Sequence, residues 1–184
     1  TFTNKAAREM RSRLETFLGP LGRHLWVGTF HGLAHKLLRQ HWKDAKLPEQ
    51  FQVLDSDDQL RLIKRVMREL EVDEERFKPK EVQWFIGGQK DEGLRPQHLQ
   101  RGQGLHQDTL MRIYAAYEKA CERAGVVDFG ELLLRSHELW LEKPELLKHY
   151  QERFRFVLVD EFQDTNAIQY AWVRLVAGGM NSHL

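Results

Sequence analysis

The chain has 184 residues, enough for one domain or two small ones with a real core. At 41% hydrophobic and 30% charged residues it is not a disordered chain, and 28 Lys+Arg against 27 Asp+Glu leave no overall attraction to nucleic acid, so any such contact needs a local patch. The single cysteine, Cys121, excludes an internal disulfide framework and fits a reducing, cytoplasmic setting; no signal peptide is visible, and no apolar run reaches the roughly 18–20 residues of a membrane span.

In chain order, residues 5–18 predict a helix with Met10, Leu14 and Phe17 on one face, stopped by Gly19-Pro20. WVGTF at 26–30 predicts a short strand, leading into a helix over 31–42 with Leu33, Leu37 and Leu38 inward. FQVL at 51–54 is briefly extended. Ser56 with Gln59 reads as a capping box opening a helix whose stripe is Leu60, Ile63, Met67 and Leu70. Pro79 takes a first helical position ahead of Val82, Phe85 and Ile86; Gly87-Gly88, Gly93 and Pro96 break the chain, and RGQG at 101–104 is a loop.

Residues 109–124 form a strong helical pattern, with Leu110, Ile113, Tyr117 and Cys121 inward and Gly125 as its stop. Asp128 with Glu131 opens another helix through Leu132, Leu133 and Leu139, and Pro144 opens one ending near Phe154. FVLV at 156–159 is the best strand candidate, and a last helix covers 166–177. Trp84 and Trp140 sit in apolar stripes as packing residues, Cys121 as an inert buried thiol, and Lys64, Arg65 and Arg68 as a solvated face. The run Gln89-Lys90-Asp91-Glu92-Gly93 reads as a turn with no evident job. A helix-rich middle between two strand-bearing flanks predicts an α/β domain interrupted by a helical insertion.

The chemistry concentrates in FVLVDEFQDTN, residues 156–166. A continuously apolar strand is buried on both faces, and ligands of open α/β sheets bind beyond the strands' carboxyl ends. Asp160 is placed there to hold Mg²⁺ through hard oxygen, and Glu161 to orient and deprotonate a water, with Gln163 and Asp164 one turn on. The plainer reading is a strand end whose acids cap the next helix through Asp164 or Asn166. Nucleotide hydrolysis also needs G-x-x-x-x-G-K-[ST]; GQKDEG at 88–93 and GVVDFG at 125–130 have the glycine spacing but neither the lysine nor the hydroxyl.

Six stretches follow one another: TFTNKAAREM (1–10), VGTFHGLAHKLLR (27–39), LDSDDQLRLIKR (54–65), QKDEGLRP (89–96), ERAGVVDFGELLLR (122–135) and VDEFQDTNAIQYAW (159–172). In that order and spacing the chain closely resembles the superfamily I DNA helicases of the UvrD/Rep/PcrA group, over all but its last few residues. The resemblance implies a predominantly helical α/β fold: a partial RecA-like P-loop NTPase motor domain over 1–35 and 123–184, interrupted by a helical insertion over 36–122. It places the phosphate loop just upstream of Thr1, which, with a start lacking Met and an MNSHL end that departs from the group's pattern, reads as a fragment.

The resemblance further implies ATP and Mg²⁺ as cofactors, Asp160 as metal ligand, Glu161 as catalytic base and Gln163 as the residue coupling nucleotide to DNA. It places Phe2 and Asn4 in one motif contacting single-stranded DNA and Thr29, Phe30 and His31 in a second; the plainer reading of Phe2 and Phe30 is core packing, and of His31 a residue at a helix start. The implied activity is 3′-to-5′ translocation and unwinding at single-strand/duplex junctions, alongside repair proteins. The rival readings are a non-catalytic helical module that binds DNA or protein, a metal-dependent nuclease using Asp160, Glu161 and Asp164, and a helicase–nuclease relative.

Overall fold

Side-chain caps and prolines set most helix starts. A computed structural model describes residues 1–100, 102 and 104–178; the MNSHL end and two residues of the RGQG loop lie outside them. The helices are α1 (Asn4–Leu18), α2 (Phe30–Gln40), α3 (Ser56–Glu69), α4 (Pro79–Asp91), α5 (Leu105–Ala124), α6 (Phe129–Glu142), α7 (Pro144–Arg153) and α8 (Ala167–Ala177). Thr3, Thr29, Asp55, Asp128 and Asn166 each accept a hydrogen bond from a first-turn amide of the helix they precede, and Pro79 and Pro144 fill first-turn positions. The cap of α3 is thus Asp55 accepting from Asp58 N at 2.7 Å, one residue ahead of the expected Ser56. Gly125, with φ 66°, stops α5 in the left-handed region, where a side chain would be strained.

Among the described residues the sheet is two short parallel strands, β1 (Gln52–Val53) and β2 (Val126–Val127), pairing Gln52 with Val126 and Val53 with Val127. They bracket α3–α5 like a clasp.

Neither expected strand forms. Residues 26–29 are irregular, and 156–159 carry only an isolated bridge at Phe156. Their apolar sequence favours extended backbone, but a strand exists only through lateral hydrogen-bond partners. FVLV is not buried on both faces either: Val157 and Val159 pack on the core while Leu158 is 91% exposed.

Gly87-Gly88 does not break α4. The helix runs on to Asp91, because Val82, Ile86 and Lys90 form a buried face that outweighs the glycines' cost of about 1 kcal/mol each. Trp84 projects from the opposite side and is 70% exposed, not packed as its sequence neighbours suggested. Trp140 is buried, and so is Cys121, where burial pushes the thiol up to about 12 and leaves it inert.

Two apolar cores result. One draws on α3, α4 and α5, centred on Ile63, Met67, Ile86, Ile113 and Tyr117. The other joins α2 and Phe51 to α6, α7 and α8 through Leu37, Leu38, Leu133, Trp140 and Trp172. Between them lies a buried ionic cluster. Lys90, 1% exposed, reaches Glu118 and Asp128 at 2.8 Å and Glu131 at 2.9 Å. Arg95 pairs with Glu131 and Glu138 at 2.7 Å and also with Glu118. Asp128 further accepts from Tyr117 Oη at 2.8 Å and Gln59 Nε2 at 3.3 Å. Burial drives the Lys90 ammonium toward neutrality, but Asp128, Glu131 and Glu118 overcome it and hold its pKa well above its ordinary value. The QKDEG run therefore has a job: its lysine fastens α4 to α5 and α6.

The α2–α6 contact is capped by a stacked pair, His31 on Phe129, with ring centroids 3.9 Å apart and planes 14° apart. Desolvation there lowers the His31 pKa from 6.5 to about 4.

Two outcomes follow for stability. Lys90→Ala leaves buried carboxylates unpaired and is expected to cost about 3–5 kcal/mol in urea unfolding; a loss below about 1 kcal/mol would contradict the cluster's role. His31 is neutral when folded and binds its proton near 6.5 only when unfolded, so its contribution is intact at pH 7 and lost as pH falls from about 6.5 toward 4. The urea midpoint of His31→Gln should accordingly fall less between pH 7 and pH 5 than the parent's, and an identical fall would refute the assignment.

Candidate nucleotide and nucleic-acid site

Three sequence-distant stretches converge beside the second core. Phe30 N donates to Thr1 O at 3.3 Å, laying residues 1–2 along residues 28–30. On the other side Thr1 Oγ1 lies 3.4 Å from Asp160 Oδ2, a long contact that places the acidic turn at the edge of the same assembly. Rings fill the interior: Phe2 sits 5.4 Å from Phe30, and Phe30 meets Trp172 of α8 edge-on at 6.4 Å. Phe30 is a core residue, 5% exposed, and has no free face on which a base could stack. Phe2 is half-buried against it.

Around that aromatic plug the polar candidates face outward. Asn4 is exposed in the first turn of α1. Thr29 caps α2, its Oγ1 accepting from Gly32 N at 3.1 Å. His31 follows in the first turn, held neutral against Phe129 at the start of α6. Phe129 is 59% exposed despite its apolar ring, and sequence reasoning passed over it. Its only signal was VDFG, where a large aromatic directly follows a helix cap.

The acidic turn has its own internal order. Glu161 is left-handed, with φ 53° and ψ 44°, an uncommon conformation for a non-glycine residue. It starts a single 3₁₀ turn, Phe162–Asp164, with Asp164 N bonded to Glu161 O at 2.9 Å. The Gln163 side-chain amide donates to the Glu161 carboxylate and fixes its direction. Thr165 Oγ1 closes the turn onto Phe162 O at 2.8 Å, and Asn166 exchanges hydrogen bonds with Gln169 of 2.9 and 3.0 Å to open α8.

The helix cap is therefore Asn166, which leaves Asp160, Glu161, Gln163 and Asp164 exposed at the surface. Behind the turn, Ile168 of α8 approaches Gly93 of the QKDEG run, its Cδ1 3.6 Å from where a Cβ on that glycine would sit. Asp160 joins the Thr1 side; among the described residues no hydrogen bond links Glu161 or Gln163 to Phe2, Asn4, Thr29, Phe30 or His31.

The donor set suits a hard cation. Asp160 offers carboxylate oxygen at a solvated edge with the Thr1 hydroxyl beside it, which fits Mg²⁺, an ion that keeps several waters and needs few protein ligands when phosphates supply others. Among the described residues no three His, Cys, Asp or Glu side chains converge as a self-contained metal cage. None of the described helices is long and apolar enough to cross a membrane.

Comparison with known proteins gives one answer throughout. Residues 1–184 match the UvrD/REP helicase N-terminal domain. The chain is 59% identical over 178 residues to DNA helicase II of Escherichia coli and 50% identical over 182 residues to that of Haemophilus influenzae, in each case covering 97% of this chain and 25% of the relative. It is 36% identical over 178 residues to the ATP-dependent DNA helicase PcrA of Bacillus subtilis, covering 96% of this chain and 24% of that protein. The chain thus spans about a quarter of the length of these relatives. The mostly helical chain with its small sheet belongs to the UvrD/REP helicase family, as N-terminal domain sequence.

Proposed function

We propose that this chain is part of the motor of an ATP-dependent DNA helicase moving 3′ to 5′ on single strands and acting at single-strand/duplex junctions in repair within the cytoplasm. The observation that carries the reading is the meeting of Asp160, at the start of the acidic turn, with Thr1 and the 28–30 segment around the Phe30 plug. An ATP-handling edge and a DNA-handling edge that share one packed scaffold can be mechanically linked. Residues 1–35 and 123–184 would belong to a RecA-like motor domain and 36–122 to its insertion. The packing of Leu37, Leu38 and Phe51 with α6–α8 supports a tighter insertion core, centred on α3–α5.

In this reading Asp160 holds Mg²⁺, which when bound would neutralise charge on the triphosphate. Glu161 is the general base: its left-handed backbone and its bond to Gln163 hold the carboxylate in one direction, ready to orient and deprotonate an attacking water. Gln163 then gains a second role, because anything that pulls its amide away frees Glu161. That gives a physical route for coupling nucleotide state to DNA. On the DNA edge, Phe2 offers a partial stacking face, while Asn4, Thr29 and His31 offer amide, hydroxyl and neutral imidazole to phosphate or sugar. Phe30 contributes by positioning its neighbours.

A nuclease built on Asp160, Glu161 and Asp164 is disfavoured, since their carboxylates are not gathered into one cluster.

The sequence contains no G-x-x-x-x-G-K-[ST] loop, so the isolated 184-residue chain is expected to show no DNA-stimulated ATP hydrolysis; a clear phosphate-release signal would refute this. In a longer protein carrying both this chain and such a loop, Glu161→Gln should lower kcat by about 10²–10⁴-fold with ATP and DNA binding retained. Unchanged turnover would remove Glu161 from the chemistry.

A further inference from the structure

A groove of about 590 Å³ runs between α1 and the segment leading into α2. Its walls follow helical spacing. Asn4, Arg8, Arg11 and Glu15 descend one face of α1, and Thr29 and Lys36 line α2 opposite. Three cations face one acid, Glu15, in a chain whose overall charge is only +1.

Arg8 and Lys36 are exposed, and among the described residues neither has a carboxylate partner, whereas Arg13 on the same helix is spent on Glu9. Arg11 braces the groove by donating to Val27 O at 2.7 Å. The aromatic ring at the wall, Trp26, is not available to a base: Lys36 lies over it at 4.5 Å, and Phe154 and Tyr150 pack against it within 5.2–5.5 Å. The groove thus offers positive charge and backbone but no stacking platform.

We infer that this groove is a phosphate track: Arg8 and Lys36 grip successive phosphodiesters of a single DNA strand that continues past Asn4 and Thr29. The inference rests on the reading that those two residues face single-stranded DNA, and it adds the groove, the cations and the mode of contact. Contacts of this kind position a strand without reading its sequence, as a motor moving along any sequence requires. Gly28 and Gly32 keep the entrance low. A Cβ on Gly32 would come within 3.0 Å of the Thr29 hydroxyl that caps α2, and one on Gly28 within 3.1 Å of Leu33.

The test uses the 184-residue chain and fluorescein-labelled oligo(dT) of about 20 nucleotides, long enough to fill one groove. Anisotropy titrations are run at several salt concentrations. For the double variant Arg8→Gln/Lys36→Gln the slope of log affinity against log salt should fall by about 0.7 for each cation removed, with affinity down roughly tenfold or more at low salt. Oligo(dA) should show the same loss. Lys64→Gln/Arg65→Gln, an equal charge change on the exposed face of α3, should leave both quantities unaltered.

Because Arg8 and Lys36 are exposed, thermal unfolding of the double variant should match the parent, separating lost contacts from lost fold. If the parent binds and the double variant retains its salt slope, the track is wrong while the DNA reading stands. If the parent shows no salt-dependent binding to either oligonucleotide, the DNA reading fails and the track with it.

Discussion

Lys90 is the constraint on which the rest of the molecule depends. A lysine with its charge out of water costs several kcal/mol unless its partners are close and themselves satisfied, and here three carboxylates lie within 2.9 Å. Those carboxylates come from α5, from the cap of α6 and from its first turn, so the cluster forms only when three segments meet in one arrangement. Burial pushes the Glu131 carboxyl up, but Lys90, Arg95 and Arg135 overcome it and hold the group well below its ordinary range. Well-packed apolar residues can match such a cluster in stability. What the charges add is intolerance of misregister, because a shift of one position would strand a buried charge.

From that joint the order passes outward along α6. Its first residue, Phe129, stacks on His31 in the first turn of α2. Midway, Ser136 Oγ accepts from the Trp172 indole at 2.8 Å and fixes α8. Trp172 in turn backs Phe30, and Phe30 backs Phe2. A second path leaves the same QKDEG run at Gly93, which Ile168 of α8 approaches just beyond the acidic turn. The α3–α5 unit is therefore joined to α2 and to α8 by short, packed routes.

Much of this was legible in the sequence because local rules governed it. Asp128, Asn166, Pro79, Pro144 and Gly125 announce helix ends by chemistry that needs no tertiary context. DEFQDTN and TFTNKAA were specific enough to point to the family. The failures share the opposite property. Whether FVLV is a strand depends on neighbours alongside it, and apolar content cannot reveal them. Gly87-Gly88 carries a real helix cost, but the face bearing Lys90 reverses the balance through contacts with residues some 40 positions away, such as Asp128. Trp84 shows the same limit for burial: it lies outside the core despite its apolar neighbours. A lone lysine between glutamine and aspartate looks solvated until its three partners are seen.

The central claim is that Asp160 and Glu161 face a metal-bound nucleotide while Asn4 and Thr29 face a single strand on the same scaffold. The most direct measurement is a structure of a full-length protein containing this chain, bound to a non-hydrolysable ATP analogue, Mg²⁺ and single-stranded DNA. The account predicts both carboxylates on the nucleotide side, with the strand crossing the start of α1 and α2. Carboxylates turned away from the triphosphate, or a strand that avoids both helix starts, would contradict it.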